Sequence, residues 1–297
     1  MKYTVVCPLA VKDVDSYFIG LDMLDKYIDV KRFVVIGNHE VEERINKYGD
    51  SRVCFENEEQ FISYSALREI IAKYTDRDES SMKRTGWYLQ QFLKLSYSLI
   101  CDDEYYLLWD ADTIPIHKHE MIEDGHPVFD MKTEHHEPYF ATFSRIFPNY
   151  WKRNKLSYIS EHMLVRTSIM REMINEIEKS DLSGASWHEK IINCIEKKDI
   201  AESGFADYET YGLYCLNKYP DLYRERIWDS LRPASYYFAF DEMRECDYEW
   251  LRKDYDAVSF QAKREVKKHI NIICRNKWIQ KHFSCKRLLK SLHQFTI

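Results

Sequence analysis

The 297-residue chain holds eight glycines and seven prolines, too few for a linker-rich or fibrous protein. Its eight cysteines, Cys7, Cys54, Cys101, Cys194, Cys215, Cys246, Cys274 and Cys285, include no C-x-x-C pair. That spacing speaks against a zinc site and fits reduced thiols. No apolar run approaches the roughly 20 residues that a membrane span needs. The N-terminus passes from Met1-Lys2 straight into Tyr3-Thr4-Val5-Val6-Cys7 and Pro8, too short an apolar stretch for a signal peptide. The expected location is therefore the cytoplasm.

What is present is an ordinary soluble composition, 45% hydrophobic and 31% charged, long enough for one large α/β domain or two modest ones. The 22 Tyr and 7 Trp carry a polar edge suited to carbohydrate stacking as well as to cores. The net charge of −6 is unevenly spread. From Lys263 to the end there are ten Lys or Arg against Glu265 alone, a balance of +9, so the preceding 262 residues carry −6 − 9 = −15. A basic tail of this kind suggests contact with an anionic surface.

The central stretch is Tyr105-Tyr106-Leu107-Leu108-Trp109-Asp110-Ala111-Asp112-Thr113-Ile114-Pro115-Ile116, an apolar run that ends in two carboxylates. It predicts a buried strand of an α/β sheet with Asp110 and Asp112 at its carboxyl end, where ligands of open sheets collect. An Asp-x-Asp there can hold a divalent cation whose other positions go to water and diphosphate oxygens. Acids after strands also serve as turn formers and helix caps, so the tripeptide needs support from its surroundings.

Before it, Tyr3–Cys7, a helix with Phe18, Leu21, Leu24 and Ile28 at helical spacing, and a strand over 32–38 predict a βαβ unit. Val53-Cys54-Phe55 is a third short strand, and residues 60–74 a helix followed by a polar loop to Lys83. In Arg84-Thr85-Gly86-Trp87-Tyr88-Leu89-Gln90-Gln91-Phe92-Leu93-Lys94-Leu95, the spacing puts Trp87, Gln90, Gln91 and Lys94 on one helix face and Leu89, Phe92, Leu93 and Leu99 on the other. The polar face is either solvated or reaches a nucleotide diphosphate.

Beyond the acids, 116–150 shows little periodicity but many His and aromatic residues, and is expected to be a long irregular acceptor loop. His135-His136 suits a solvated turn better than a metal site. Ser160-Glu161-His162-Met163-Leu164-Val165 predicts a strand with polar residues at its start, where Glu161 and His162 are candidate acceptor contacts. A helix carrying Met170, Met173, Ile174 and Ile177 follows it, and Ser186-Trp187-His188-Glu189 has the form of a capping box. In Gly204-Phe205-Ala206-Asp207-Tyr208-Glu209-Thr210-Tyr211-Gly212, Asp207 falls at or just before a helix start and Glu209 in its first turn. There the dipole stabilises them by about 0.3–1 kcal/mol. Either is also a candidate general base. Tyr236–Phe240 is expected to be a last strand and 242–252 a peripheral segment; the apolar and basic residues of 263–297 suit an interfacial amphipathic helix or a basic helix packed on the acidic body.

With the 86–95, 109–113, 160–162 and 205–212 blocks in this order, the chain resembles the DUF6492 group of bacterial glycosyltransferases over roughly residues 3 to 240. The resemblance implies a GT-A (Rossmann-like) α/β domain over 1–245, its mixed, mostly parallel sheet flanked by helices. About 1–115 would bind nucleotide sugar and about 116–245 the acceptor, with 246–297 a helical basic extension. It also implies a UDP-linked donor near Arg84, Gln90, Gln91 and Lys94, Mn²⁺ or Mg²⁺ on Asp110 and Asp112, and Asp207 or Glu209 as base of an inverting transfer to a saccharide or lipid-linked saccharide. The chain departs from the family block in having Ala206-Asp207 for Ser-Glu. Two rivals are a sugar nucleotidyltransferase, disfavoured because Cys7-Pro8-Leu9-Ala10-Val11-Lys12 has no glycine, and a catalytically silent, membrane-docked partner of a polysaccharide assembly complex. Nucleic-acid binding is disfavoured by the acidic body.

Overall fold

A computed structural model describes residues 1–152, 155–260, 266 and 268–293. The chain opens with β1 (Tyr3–Pro8), α1 (Val14–Tyr27), β2 (Val30–Gly37), α2 (His39–Tyr48), β3 (Val53–Asn57), α3 (Tyr64–Tyr74), the single turn α4 (Glu79–Met82) and α5 (Thr85–Ser96). Next come β4 (Tyr105–Trp109), β5 (Thr113–Pro115), β6 (Ile122–Glu123), β7 (His126–Met131), α6 (Glu137–Ile146), β8 (His162–Arg166), α7 (Thr167–Lys179), α8 (Trp187–Cys194), α9 (Lys197–Ile200) and α10 (Asp207–Lys218). The remainder is β9 (Arg224–Ile227), β10 (Ser230–Leu231), α11 (Glu245–Leu251), β11 (Ala257–Ser259), α12 (Lys268–Cys274), α13 (Lys277–His282) and α14 (Cys285–His293).

The main sheet runs β3-β2-β1-β4-β8, parallel except for β8, which pairs antiparallel to β4 with Trp109 opposite His162. Alternation explains why its strands are apolar throughout. Val6, Val34, Tyr106 and Leu108 face one core with α3, α5, α7 and α10, whereas Val5, Phe33, Val35, Leu107 and Trp109 face a second core with α1 and α2. A sheet covered on both sides leaves no solvent face to encode. A third core joins Ile114 and Ile116 to Tyr237, Phe238, Trp250, Leu251, Ile270 and Leu289, so α11, α12 and α14 are packed elements and 242–252 is not peripheral.

Other expectations are also corrected. Residues 116–150 carry β6, β7 and α6 rather than one long loop. The buried Asp130 interrupts the apolar pattern of β7, and Pro138 stands in the first turn of α6, so periodicity hides both. Tyr236–Phe240 forms no strand; two 3-10 turns, Ala234–Tyr236 and Phe240–Glu242, flank buried Tyr237 and Phe238, which meet the third core rather than a ladder. Leu99 is exposed, because it lies in the turn after α5 rather than on its buried face. The strand expected over 32–38 ends at Gly37, and Asn38 starts a helix: its side chain accepts from the Val41 amide and opens α2. Of the basic tail, Lys263, Arg264, Lys267 and Phe295, with Glu265, lie outside the described residues.

Helix α10 lies against Tyr158 so closely that a Cβ on Gly212 would stand 2.6 Å from the ring. Gly212→Ala should therefore lower stability by about 1–3 kcal/mol through overpacking, although alanine is the better helix former. Urea denaturation reads this directly; an unchanged or raised midpoint would contradict the packing.

Candidate active site

Three elements converge at the carboxyl end of β4. The turn after it is tied by the Trp109 indole N–H on the Thr113 carbonyl (2.8 Å) and by the Asp110 amide on the Glu161 carbonyl (2.9 Å). Helix α5 brings Lys94 beneath this turn. Its Nζ donates to Asp110 Oδ1 (2.7 Å) and to the Tyr208 hydroxyl (3.0 Å), and lies 3.4 Å from Asp207 Oδ2. Tyr208 donates to the same Asp110 Oδ1 (2.9 Å), and the ammonium sits 4.2 Å from the centroid of its ring. Gln91, one turn earlier, accepts from the Asp207 amide (3.2 Å) and so satisfies a free N–H at the start of α10. The α5 face carrying Gln91 and Lys94 is thus buried rather than solvated.

The charges decide the titration. Burial alone would push the Lys94 ammonium down, but Asp110 and Asp207 hold it above the usual lysine range. Burial pushes the Asp207 carboxyl up to about 6 against the pull of Lys94, and its Oδ2 has no hydrogen-bond partner. Burial, then the charge of Asp110, raises Asp112 to about 6 as well. Among the described residues the Asp112 carboxylate has only long contacts, Thr113 Oγ1 at 3.3 Å and Ser259 Oγ at 3.4 Å, while its carbonyl accepts from the Phe260 amide (2.9 Å).

Asp112 also lines a cleft of about 1370 Å³ beside the start of α1. The acids on its walls are Asp13, Asp15, Asp112, Asp241 and Glu242, against Lys12 and Lys268. Such a cleft repels anions. The residues fit a divalent cation: Asp112 has a poorly matched charge, and both strong contacts to Asp110 use Oδ1, leaving Oδ2 for a ligand.

The other candidates lie elsewhere. Arg84, exposed before α5, donates Nε to the Ala201 carbonyl (3.0 Å); Trp87 packs half-buried on the first core, and Gln90 is half-buried. Glu209 is buried and accepts from the Tyr158 amide (2.8 Å) and Lys152 (3.2 Å), which anchors the segment before β8. Glu161 and His162 are 1% and 2% exposed. Glu161, at φ +64°, takes Lys132 (2.7 Å), Ser230 (3.0 Å) and the Trp228 indole (3.1 Å) on its carboxylate. The His162 ring stacks on Trp109, with Nδ1 on the Ser160 carbonyl (2.9 Å) and Nε2 on Asp130 (2.8 Å).

Among the described residues, His119, Asp130 and His162 form a three-donor cluster of metal-ligating types, with their atoms within 4.8 Å of one another. Arg226 lies inside it, with Nε 2.8 Å and Nη2 3.0 Å from Asp130, so a guanidinium already balances the carboxylate. Sequence reasoning missed Arg232, whose charge interacts with both Asp110 and Asp112 and which lies 3.0 Å from Glu161. No local signal marks it; only the pairing of β10 with β11 brings it there.

Lys94→Met would leave Asp110 and Asp207 without their shared cation and should cost about 3–5 kcal/mol at neutral pH. Lys94 pulls the Asp207 carboxyl down to about 6, so without it that carboxyl protonates at higher pH and sheds its burial penalty there; the deficit should shrink as pH falls toward about 6. Thermal unfolding from pH 8 to 5 checks this; a deficit independent of pH would contradict it.

No curated protein matches the chain. It is similar at low identity to solved structures, among them mouse xyloside xylosyltransferase 1, at 12% identity over 90% of this chain and 96% of that one, with a TM-score of 0.41. Core-mannan synthase A from Aspergillus fumigatus, in a Mn/GDP form, gives 9%, 76%, 72% and 0.44, and galactosyltransferase LgtC with donor and acceptor sugar analogues gives 9%, 88%, 88% and 0.42. The sequence pattern of one family spans residues 5–267, and by that match the chain belongs to the family described as "Family of unknown function (DUF6492)".

Proposed function

We propose that this chain is a metal-dependent glycosyltransferase of the GT-A type, moving a sugar from a nucleotide diphosphate, UDP-linked, to a saccharide acceptor in bacterial cell-surface polysaccharide synthesis. The observation that carries the reading is Asp112: a carboxylate raised to about 6, without a close partner among the described residues, on the wall of an acidic cleft at the end of the central sheet. A diphosphate enters such a cleft only with a cation. Asp110 and Asp112 would hold Mn²⁺ or Mg²⁺, which supplies Lewis-acid stabilisation of the leaving diphosphate.

The chain's own residues divide the remaining work. Lys94 and Tyr208 fix one oxygen of Asp110 and so aim the other. Of the two candidate bases, Asp207 takes the assignment: it is buried, but it stands 3.4 Å from the Lys94 ammonium that holds Asp110, and its carboxyl is raised to about 6, near the pH at which a base works best. Glu209 is engaged by Tyr158 and Lys152 and acts as a brace. Removal of the acceptor proton by Asp207 accords with an inverting transfer.

A panel of nucleotide sugars tests the reading. UDP release should require Mn²⁺ or Mg²⁺, stop with EDTA, and fall roughly 10²–10³-fold in Asp110→Asn and Asp112→Asn with the fold intact. Turnover should rise with pH through about 6 as Asp207 deprotonates, while a cation on Asp112 would hold that carboxyl ionised at lower pH. Glu209→Gln should lower the melting temperature more than the rate. Turnover indifferent to EDTA and to Asp112→Asn would contradict the proposal; a folded protein that releases no UDP from any donor would favour the silent assembly partner.

A further inference from the structure

Helices α12, α13 and α14 present a second surface, on the far side of α12 from the cleft that its Lys268, Asn271 and Ile272 also line. Between residues 268 and 293 the sequence has seven Lys or Arg and no Asp or Glu. Their inner faces belong to the third core through Ile270, Cys274, Cys285 and Leu289. Two cations point back onto the body: Arg275 pairs with Glu242 at 3.0 Å, and Lys286 pairs with Asp229. Lys277, Lys281, Arg287 and Lys290 are exposed and, among the described residues, have no carboxylate within ion-pair distance.

Large apolar side chains lie exposed in the same region. Trp278 is 64% and Phe283 48% exposed, their ring centroids 5.7 Å apart. Trp278 and Lys281 share the outward face of α13, while Gln280 is buried on the other side with its amide on Asp247 and the Cys274 carbonyl. The Phe283 carbonyl is fixed by the Trp250 indole (2.9 Å), so the exposed pair stands on a packed support.

We propose that this face docks on the surface of an anionic lipid bilayer, with Trp278 and Phe283 in the headgroup layer and the surrounding lysines and arginines on lipid phosphates. Charge complementarity singles out this occupant. A bilayer attracts the basic face at short range, whereas the rest of the chain, at −6 − 7 = −13, is turned away from it. An exposed tryptophan beside a second ring suits the interface between water and acyl chains. A nucleic-acid duplex keeps its bases stacked away from the apolar pair, and its phosphates would meet the acidic body. No helix among the described residues is long and apolar enough to cross a membrane, so the contact is peripheral.

Co-sedimentation of the full chain with extruded vesicles tests the proposal without reference to catalysis. Partition should be at least roughly tenfold higher onto phosphatidylcholine containing about a quarter phosphatidylglycerol than onto phosphatidylcholine alone. It should be lost as salt rises from about 0.1 M to about 1 M, where the screening length falls to about 3 Å. Trp278→Ala with Phe283→Ala, and separately Lys277→Glu with Lys281→Glu, should each lower partition at least roughly tenfold with unchanged circular dichroism and melting temperature. Equal partition onto both vesicle types, or folded variants that bind like the parent, would overturn the proposal. So would tighter binding to duplex DNA than to vesicles, or light scattering that shows a dimer abolished by Trp278→Ala with no vesicle binding.

Discussion

One buried ammonium holds the candidate site together. Lys94 reaches from α5 to Asp110 at the end of β4 and to Asp207 at the start of α10, joining by charge three elements that also share the first apolar core. Burying a lysine or an aspartate alone is costly, and a carboxylate pair around one ammonium still carries an excess negative charge. Burial, with the charge of Asp110 adding to it, keeps the carboxyls of Asp207 and Asp112 raised. In the proposed reading a cation would balance that charge.

The surrounding polar groups serve this arrangement at a distance. Glu161 adopts a left-handed backbone conformation at φ +64°, which lets its carbonyl accept from the Asp110 amide while its carboxylate turns into Lys132, Ser230 and Trp228. Strain of this kind persists only where the surroundings over-determine it. Behind Trp109, the buried pair of His162 and Asp130 with Arg226 supports the floor of the same turn. The site is therefore a thin layer of acids backed by matched charges.

Much of the sheet was legible because two-sided burial leaves unbroken apolar runs, as in Tyr105–Trp109 and Tyr3–Pro8, and because Asp110 and Asp112 end such a run abruptly. The acids of α10 were legible as first-turn residues, but their separate fates were not. Whether Asp207 faces Lys94 and Glu209 faces Tyr158 depends on packing across more than fifty residues of chain. The same limit hid the burial of the α5 polar face, whose partners lie on β4 and α10, and the approach of Arg232. Aromatic residues misled in the other direction: Tyr237 and Phe238 fill a core without joining a sheet.

The most direct measurement is anomalous diffraction at the manganese edge from crystals grown with MnCl₂ and UDP. The account predicts one strong peak between the carboxylates of Asp110 and Asp112, with the diphosphate beside it. A peak at His119, Asp130 and His162 instead, or UDP bound in the cleft with no cation at the two aspartates, would contradict it.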